Sequence, residues 1–180
     1  RIKKELTTDA KGYASFEIKA KPILWSTENP YLYQVSLSTD TDKVTDEIGF
    51  RTIETKGRQI LLNGNPVFLK GISIHEEAPF RSGRICSEEE DLTLLNWAKE
   101  LGCNYVRLAH YPHNEKMVRL AEKMGLMVWS EIPVYWTIQW ENKDTYQNAH
   151  NQLMEMIERD QNRAAVIIWS IANETPHGEA

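Results

Sequence analysis

The chain has 180 residues, 41% of them apolar and 26% charged, which is the balance of a globular protein with a real core. A net charge of -5 leaves no basic footprint, which argues against a nucleic-acid partner, and no apolar run of 18 or more residues supplies a membrane span. Six Trp and seven Tyr are many for this length and suit a surface that stacks on sugar rings, although cores use them as well.

Arg1-Ile-Lys-Lys-Glu5 has neither an initiator Met nor a leader pattern, and the chain stops at Pro176-His-Gly-Glu-Ala180 just after a strong strand pattern. Both ends read as cut from something longer. Residues 1–55 read as β structure, with alternating runs at Ala14-Ser-Phe-Glu-Ile-Lys19 and Tyr31-Leu-Tyr-Gln-Val-Ser-Leu-Ser38 and a third from Val44 to Ile53. Three such strands make no stable sandwich alone, so they are expected to be the last part of one.

From residue 56 the rhythm changes. Residues 58–69 predict a hairpin turning at Asn63-Gly64, and its second arm runs on to Ile74-His75-Glu76. Ser87-Glu-Glu-Glu90 predicts a capping box opening a helix with Leu94, Trp97, Ala98 and Leu101 on one face, closed by Gly102. A second strand follows at 104–110, then a helix striped by Met117, Leu120, Ala121 and Met124 that stops at Gly125. A third strand covers 126–131, a third helix carries Ala149, Leu153, Met156 and Ile157, and a fourth strand covers 165–172.

Strands apolar throughout need cover on both faces, as parallel strands under crossover helices have. Four strands alternating with three helices are the N-terminal half of a (β/α)8 TIM barrel, an α/β fold. A doubly wound open sheet is the alternative, but no Gly-rich phosphate loop follows the first strand. The division is thus 1–55, the end of a β-sandwich, and 56–180, half a barrel.

Barrel enzymes work at the C-terminal ends of their strands. There the four strands deliver His75-Glu76, then Arg107 and His110, then Glu131, then Asn173-Glu174. Glu174 follows an apolar run whose wall is expected to desolvate its carboxyl and fit it for proton donation. The plainer reading is a Glu that caps a helix. His75 and His110 read, on pattern alone, as core histidines before they read as ligands. Arg107 reads as a partner for Glu131 that stiffens the strand ends. Glu76 and Glu77 read as solvated loop charges, and His113, His150 and His177 as surface residues. Cys86 and Cys103 have no metal or redox spacing and read as buried thiols.

Asn63-Gly-Asn-Pro-Val-Phe-Leu-Lys-Gly71, Ile74-His-Glu76, residues 104–112 and Ile168-Trp-Ser-Ile-Ala-Asn-Glu174 stand in an order and spacing that resemble glycoside hydrolase family 2. Leu24-Trp25, Pro30-Tyr-Leu-Tyr33 and Gly49-Phe-Arg51 extend the resemblance to that family's immunoglobulin-like sandwich. It implies a retaining β-glycosidase, of β-galactosidase or β-glucuronidase type, acting on a terminal β-linked sugar through two glutamates. Glu174 takes the acid/base position and Asn173 that of the ligand to the sugar 2-hydroxyl. Arg107, His110 and His75 match positions lining the sugar, and Glu131 matches a strand-three acid grouped with them in the substrate site.

The nucleophile lies on a later strand in this family, outside these residues, so the piece alone is expected to be inactive. Residues 131–137 lack the Glu-x-His pair that binds magnesium in some relatives, so no metal and no cofactor is expected. The partner implied is a carbohydrate, with a homo-oligomer of the longer protein left open. Two rival readings are a metal-dependent hydrolase using His110-x-x-His113 with Glu131, and a sugar-binding module without catalysis.

Overall fold

The structure, a computed structural model, describes residues 2–176, so His177 lies outside the described residues. β1 (Tyr33–Ser38) and β2 (Lys43–Ile48) form an antiparallel hairpin in which Tyr33 faces Ile48. β3 (Ile53–Lys56), β4 (Gln59–Leu62) and β5 (Asn65–Val67) form a three-stranded antiparallel sheet. Its second turn is the expected one: Asn63 and Gly64 have φ of 53° and 78°, the left-handed pair that a two-residue hairpin requires.

Two expectations for this region fail. Residues 14–19 form no strand, although their alternation is correct. Apart from the half-buried Ala14 they lie exposed, and among the described residues no strand pairs with them to form a ladder. The third run divides into β2 and β3 because the chain passes the core at Gly49. A Cβ there would sit 2.7 Å from Ala164 Cβ and 3.0 Å from Trp25 Cβ.

Those contacts belong to the seam joining the first sixty residues to the rest. Trp25 is fully buried and its indole N–H donates to the Glu122 carbonyl at 2.9 Å. Arg51 donates to the carbonyls of Ala164 (3.1 Å) and Val166 (2.5 Å). Arg163, also buried, reaches Asp46 at 2.7 Å and the Glu122 carboxylate at 3.2 Å. Burial pushes the Glu122 carboxyl up, and Arg163 with the backbone N–H groups of Ala164 and Ala165 works against that shift.

The second part is a four-stranded parallel sheet, β6 (Gly71–Ile74), β7 (Tyr105–Leu108), β8 (Met127–Glu131) and β9 (Val166–Ser170), in sequential order. A doubly wound sheet reverses its strand order at a switch point; this one does not. α1 (Glu88–Glu100), α2 (Glu115–Lys123) and α3 (Lys143–Asp160) alternate with the strands. Leu95, Ala98, Val106, Leu108, Met117, Ala121, Leu126 and Val128 fill the core beneath the helices. Tyr105 and Arg107 alternate with Val106 and Leu108 along β7 and are only half-buried, so within this chain the sheet is covered on one face.

α1 is capped by Ser87, whose side chain accepts from Glu90 N–H at 3.3 Å, but the reciprocal half of the box is displaced by one residue. The Glu90 carboxylate accepts from Cys86 N–H at 2.9 Å, not from Ser87. Cys86 is exposed, contrary to the buried-thiol reading, whereas Cys103 is buried. The helix is also rolled from its expected face. Asp91, Leu95 and Ala98 go in, while Trp97 and Leu101 stay exposed, because Asp91 finds a hydrogen-bond partner inside, Asn114 Nδ2 at 3.1 Å.

Candidate active site

The ends of β7, β8 and β9 converge on one buried carboxylate. Glu131, the last residue of β8, is completely buried, and both its oxygens are occupied. Arg107 Nε donates to Oε2 at 2.9 Å and Arg107 Nη2 to Oε1 at 3.1 Å, a bidentate clasp; His110 Nδ1 sits 2.5 Å from Oε1. A carboxylate only accepts, so the His110 proton is on Nδ1. The 3.4 Å approach of Arg107 Nη2 to that nitrogen is then a contact between two donors. Arg107 Nη2 also donates to Asn173 Oδ1 at 2.7 Å, and its guanidinium lies 4.8 Å from the centre of the Trp129 ring.

Arg107 and Glu131 thus pair as the sequence suggested, and Arg107 fixes the Asn173 amide as well. Neither histidine sits in the core. His75 is exposed and stands edge-on to the half-buried His110, ring centres 5.2 Å apart.

Beyond β9 the chain runs along the β8–α3 loop. Asn173 N–H donates to the Val134 carbonyl at 2.8 Å, and Trp136 N–H donates to the Asn173 carbonyl at 3.2 Å. Glu174 turns away from this ladder with φ of 49°. Its carboxylate is exposed and accepts from the Trp136 indole N–H at 3.1 Å. The expected apolar wall around Glu174 is therefore not formed by this chain, since the left-handed turn carries the side chain off the strand surface. Nor does Glu174 cap a helix among the described residues, for none follows it.

A second polar cluster forms around Glu76, which the sequence pattern reads as a solvated loop charge. Glu76 is buried, not solvated like Glu77; it accepts from Arg84 and from both nitrogens of Asn114, at 2.5 Å (backbone) and 2.8 Å (side chain). Burial alone would raise its carboxyl, but those donors hold it below the usual range. Asn114 in turn caps α2. Asp91, facing the same amide, is pushed up by burial.

His113 is buried as well, with Nε2 2.9 Å from the Ala109 carbonyl and its ring stacked on Tyr111. His110 and His113 therefore do not converge on a common ligand position. His150 is exposed, as expected.

Desolvation holds the His113 pKa below its ordinary 6.5, against the pull of the Ala109 carbonyl and Glu76. The fold thus favours the neutral ring: the stability it contributes is complete above pH 6.5 and is lost as pH falls through and below that value. Asp91 and Glu122, both raised, contribute with the opposite slope. Thermal melts from pH 7.5 down to 5 are expected to show a steeper fall in Tm for the native chain than for His113→Phe.

Residues 53–180 match the family model described as glycosyl hydrolases family 2, TIM barrel domain, and residues 2–51 the model described as glycosyl hydrolases family 2. The chain belongs to glycosyl hydrolase family 2. A β-glucuronidase of Streptococcus agalactiae serotype V is 35% identical over 178 residues, covering 87% of this chain and 29% of that protein. A β-galactosidase of Alteromonas mediterranea is 33% identical over 178 residues, covering 92% of this chain and 17% of its own.

Among solved structures, the family 2 β-galacturonidase of Eisenbergiella tayi, bound to galacturonate, superposes with a TM-score of 0.75 at 33% identity, over 85% of this chain and 28% of that one. The chain therefore spans less than a third of the length of each of these relatives. Among the described residues, no helix is long and apolar enough to cross a membrane.

Proposed function

We propose that this chain is the acid/base half of a retaining β-glycosidase that releases terminal β-linked sugars, of the β-galactosidase or β-glucuronidase type. In this reading residues 1–55 end an immunoglobulin-like sandwich and residues 56–180 open a (β/α)8 barrel. Relatives named for both activities support the class, and the sequential parallel sheet supports the half-barrel.

The observation that carries the reading is the difference between the two glutamates at the strand ends. Glu131 is buried with both oxygens held by Arg107 and His110, which leaves it no free oxygen for a reacting carbon. Glu174 is exposed, with one oxygen engaged and the other open. Glu131 is thus a structural anchor: it aims Arg107, which aims Asn173 at the sugar 2-hydroxyl. His75 and His110 line the same rim.

Glu174 then protonates the leaving oxygen and later deprotonates the water that frees the sugar. The nucleophile is a second glutamate, outside these residues, about 5–5.5 Å across the glycosidic bond as double displacement requires. The test is the stereochemistry of the full-length protein. Proton NMR during hydrolysis of an aryl β-glycoside is expected to show the β-anomer first, followed by mutarotation. First appearance of the α-anomer would mean single displacement and defeat the proposal.

A further inference from the structure

Trp136 reaches Glu174 across 38 residues of chain, and nothing in the chemistry so far uses it. Among the described residues, non-glycine residues with positive φ are Asn63, Trp136 and Glu174. Asn63 is explained by its hairpin; the other two touch each other.

A tryptophan in the left-handed region is unfavourable and persists only where its surroundings over-determine it. Here they do so through backbone. Residue 135 pairs with Asn173 as an isolated parallel bridge, and hydrogen bonds on either side of Asn173 lock residues 134–136 against it. The Tyr135 ring packs edge-on against the Trp136 indole, centres 5.3 Å apart. Yet Trp136 remains 63% exposed, so burial of its ring does not repay that conformation. Its one polar group is spent on the Glu174 carboxylate.

We propose that Trp136 is a positioning residue for Glu174, its indole N–H holding Oε2 so that Oε1 is presented to the glycosidic oxygen. The inference rests on the acid/base reading of Glu174. An exposed glutamate side chain samples many rotamers, and a fixed donor on one oxygen selects the few that aim the other. Because an indole nitrogen only donates, the contact is available throughout the cycle: a neutral or an ionised carboxyl offers it an acceptor oxygen. The proton being exchanged therefore resides on Oε1.

The test uses Trp136→Phe in the full-length protein, alone and combined with Glu174→Ala, assayed on β-glycosides whose leaving groups range from dinitrophenol to simple alcohols. A misaimed acid is expected to lower kcat/KM for alkyl glycosides by about 10- to 100-fold. For dinitrophenyl glycosides kcat/KM, which reports formation of the glycosyl-enzyme and needs no acid, is expected to stay near the wild-type value. In the Glu174→Ala background the Trp136 change is expected to have no further effect, which a merely structural role would not produce. Benzothienylalanine at 136 removes the N–H with little change of shape and is expected to reproduce the phenylalanine variant.

Equal loss on all leaving groups, no loss, wild-type behaviour of the benzothienyl variant, or a full effect persisting without Glu174 would each overturn the proposal. If Glu174→Ala alone loses all substrates equally, the acid/base reading itself is wrong, and this inference fails with it. If Glu174→Ala is selective and the Trp136 variants are not, only the positioning role is wrong.

Discussion

Replacing Glu131 with alanine is expected to destabilise the protein by about 3 kcal/mol, the lower part of the range for stripping one partner from a buried ion pair. The Glu131 side chain is 1% exposed and that of Arg107 23%, so the guanidinium left behind recovers some hydration but not its two charge-assisted hydrogen bonds. Asn173 Oδ1 remains as its acceptor, and the His110 Nδ1–H loses its partner as well.

For a domain of this size that loss corresponds to a fall of roughly 6–12 °C in Tm. Glu131→Gln keeps the shape and one acceptor and is expected to lose about half as much. Adding Arg107→Met to Glu131→Ala removes the orphaned charge and is expected to restore part of the stability, so the two changes are not additive. Urea and thermal denaturation of these proteins and of Arg107→Met alone measure this. A loss below about 1 kcal/mol for Glu131→Ala would mean that the pair is hydrated like a surface bridge.

What could be read from the sequence was whatever periodicity or local chemistry encodes. β7 and β8 followed from apolar runs, the β4–β5 turn from Asn63-Gly64, and the Arg107–Glu131 pair from adjacent parallel strands presenting opposite charges at one end. What could not be read depended on contacts that form only in the folded chain. Glu76 and His113 have the local pattern of surface residues. Glu76 is buried because Arg84 and Asn114 meet it, and His113 because Tyr111 and the Ala109 carbonyl enclose it. The inward face of α1 turned on Asp91 finding Asn114. Residues 14–19 failed in the opposite way: a correct alternation forms no strand without another strand to pair with. Trp136 gave no signal beyond being one aromatic among several in a loop, because its contact with Glu174 exists only once β8 and β9 lie side by side.

Glu174→Ala in the full-length protein is expected to separate substrates by their leaving groups. Natural glycosides and alkyl glycosides depart as alkoxides unless protonated, so loss of the acid is expected to lower their turnover by about 10²–10⁴-fold. Dinitrophenol is a stable anion and needs no proton, so formation of the glycosyl-enzyme from its glycosides is expected to survive. The second step then limits, because water attacks slowly without a base, and such substrates are expected to give a burst of phenol followed by slow turnover. Azide attacks without a base and is expected to restore the rate while forming the β-glycosyl azide, since two displacements retain configuration.

Loss of the nucleophile would look different: all substrates would slow together, and azide would enter once, from the opposite face, to give the α-azide. Kinetics across the leaving-group series, with NMR assignment of the azide product, discriminate the two. Equal loss on good and poor leaving groups, or an α product, would remove Glu174 from the acid/base role. Because Glu174 is exposed in this chain and contributes no buried pair, its replacement is expected to leave Tm nearly unchanged, so any loss of rate is read as chemistry and not as unfolding.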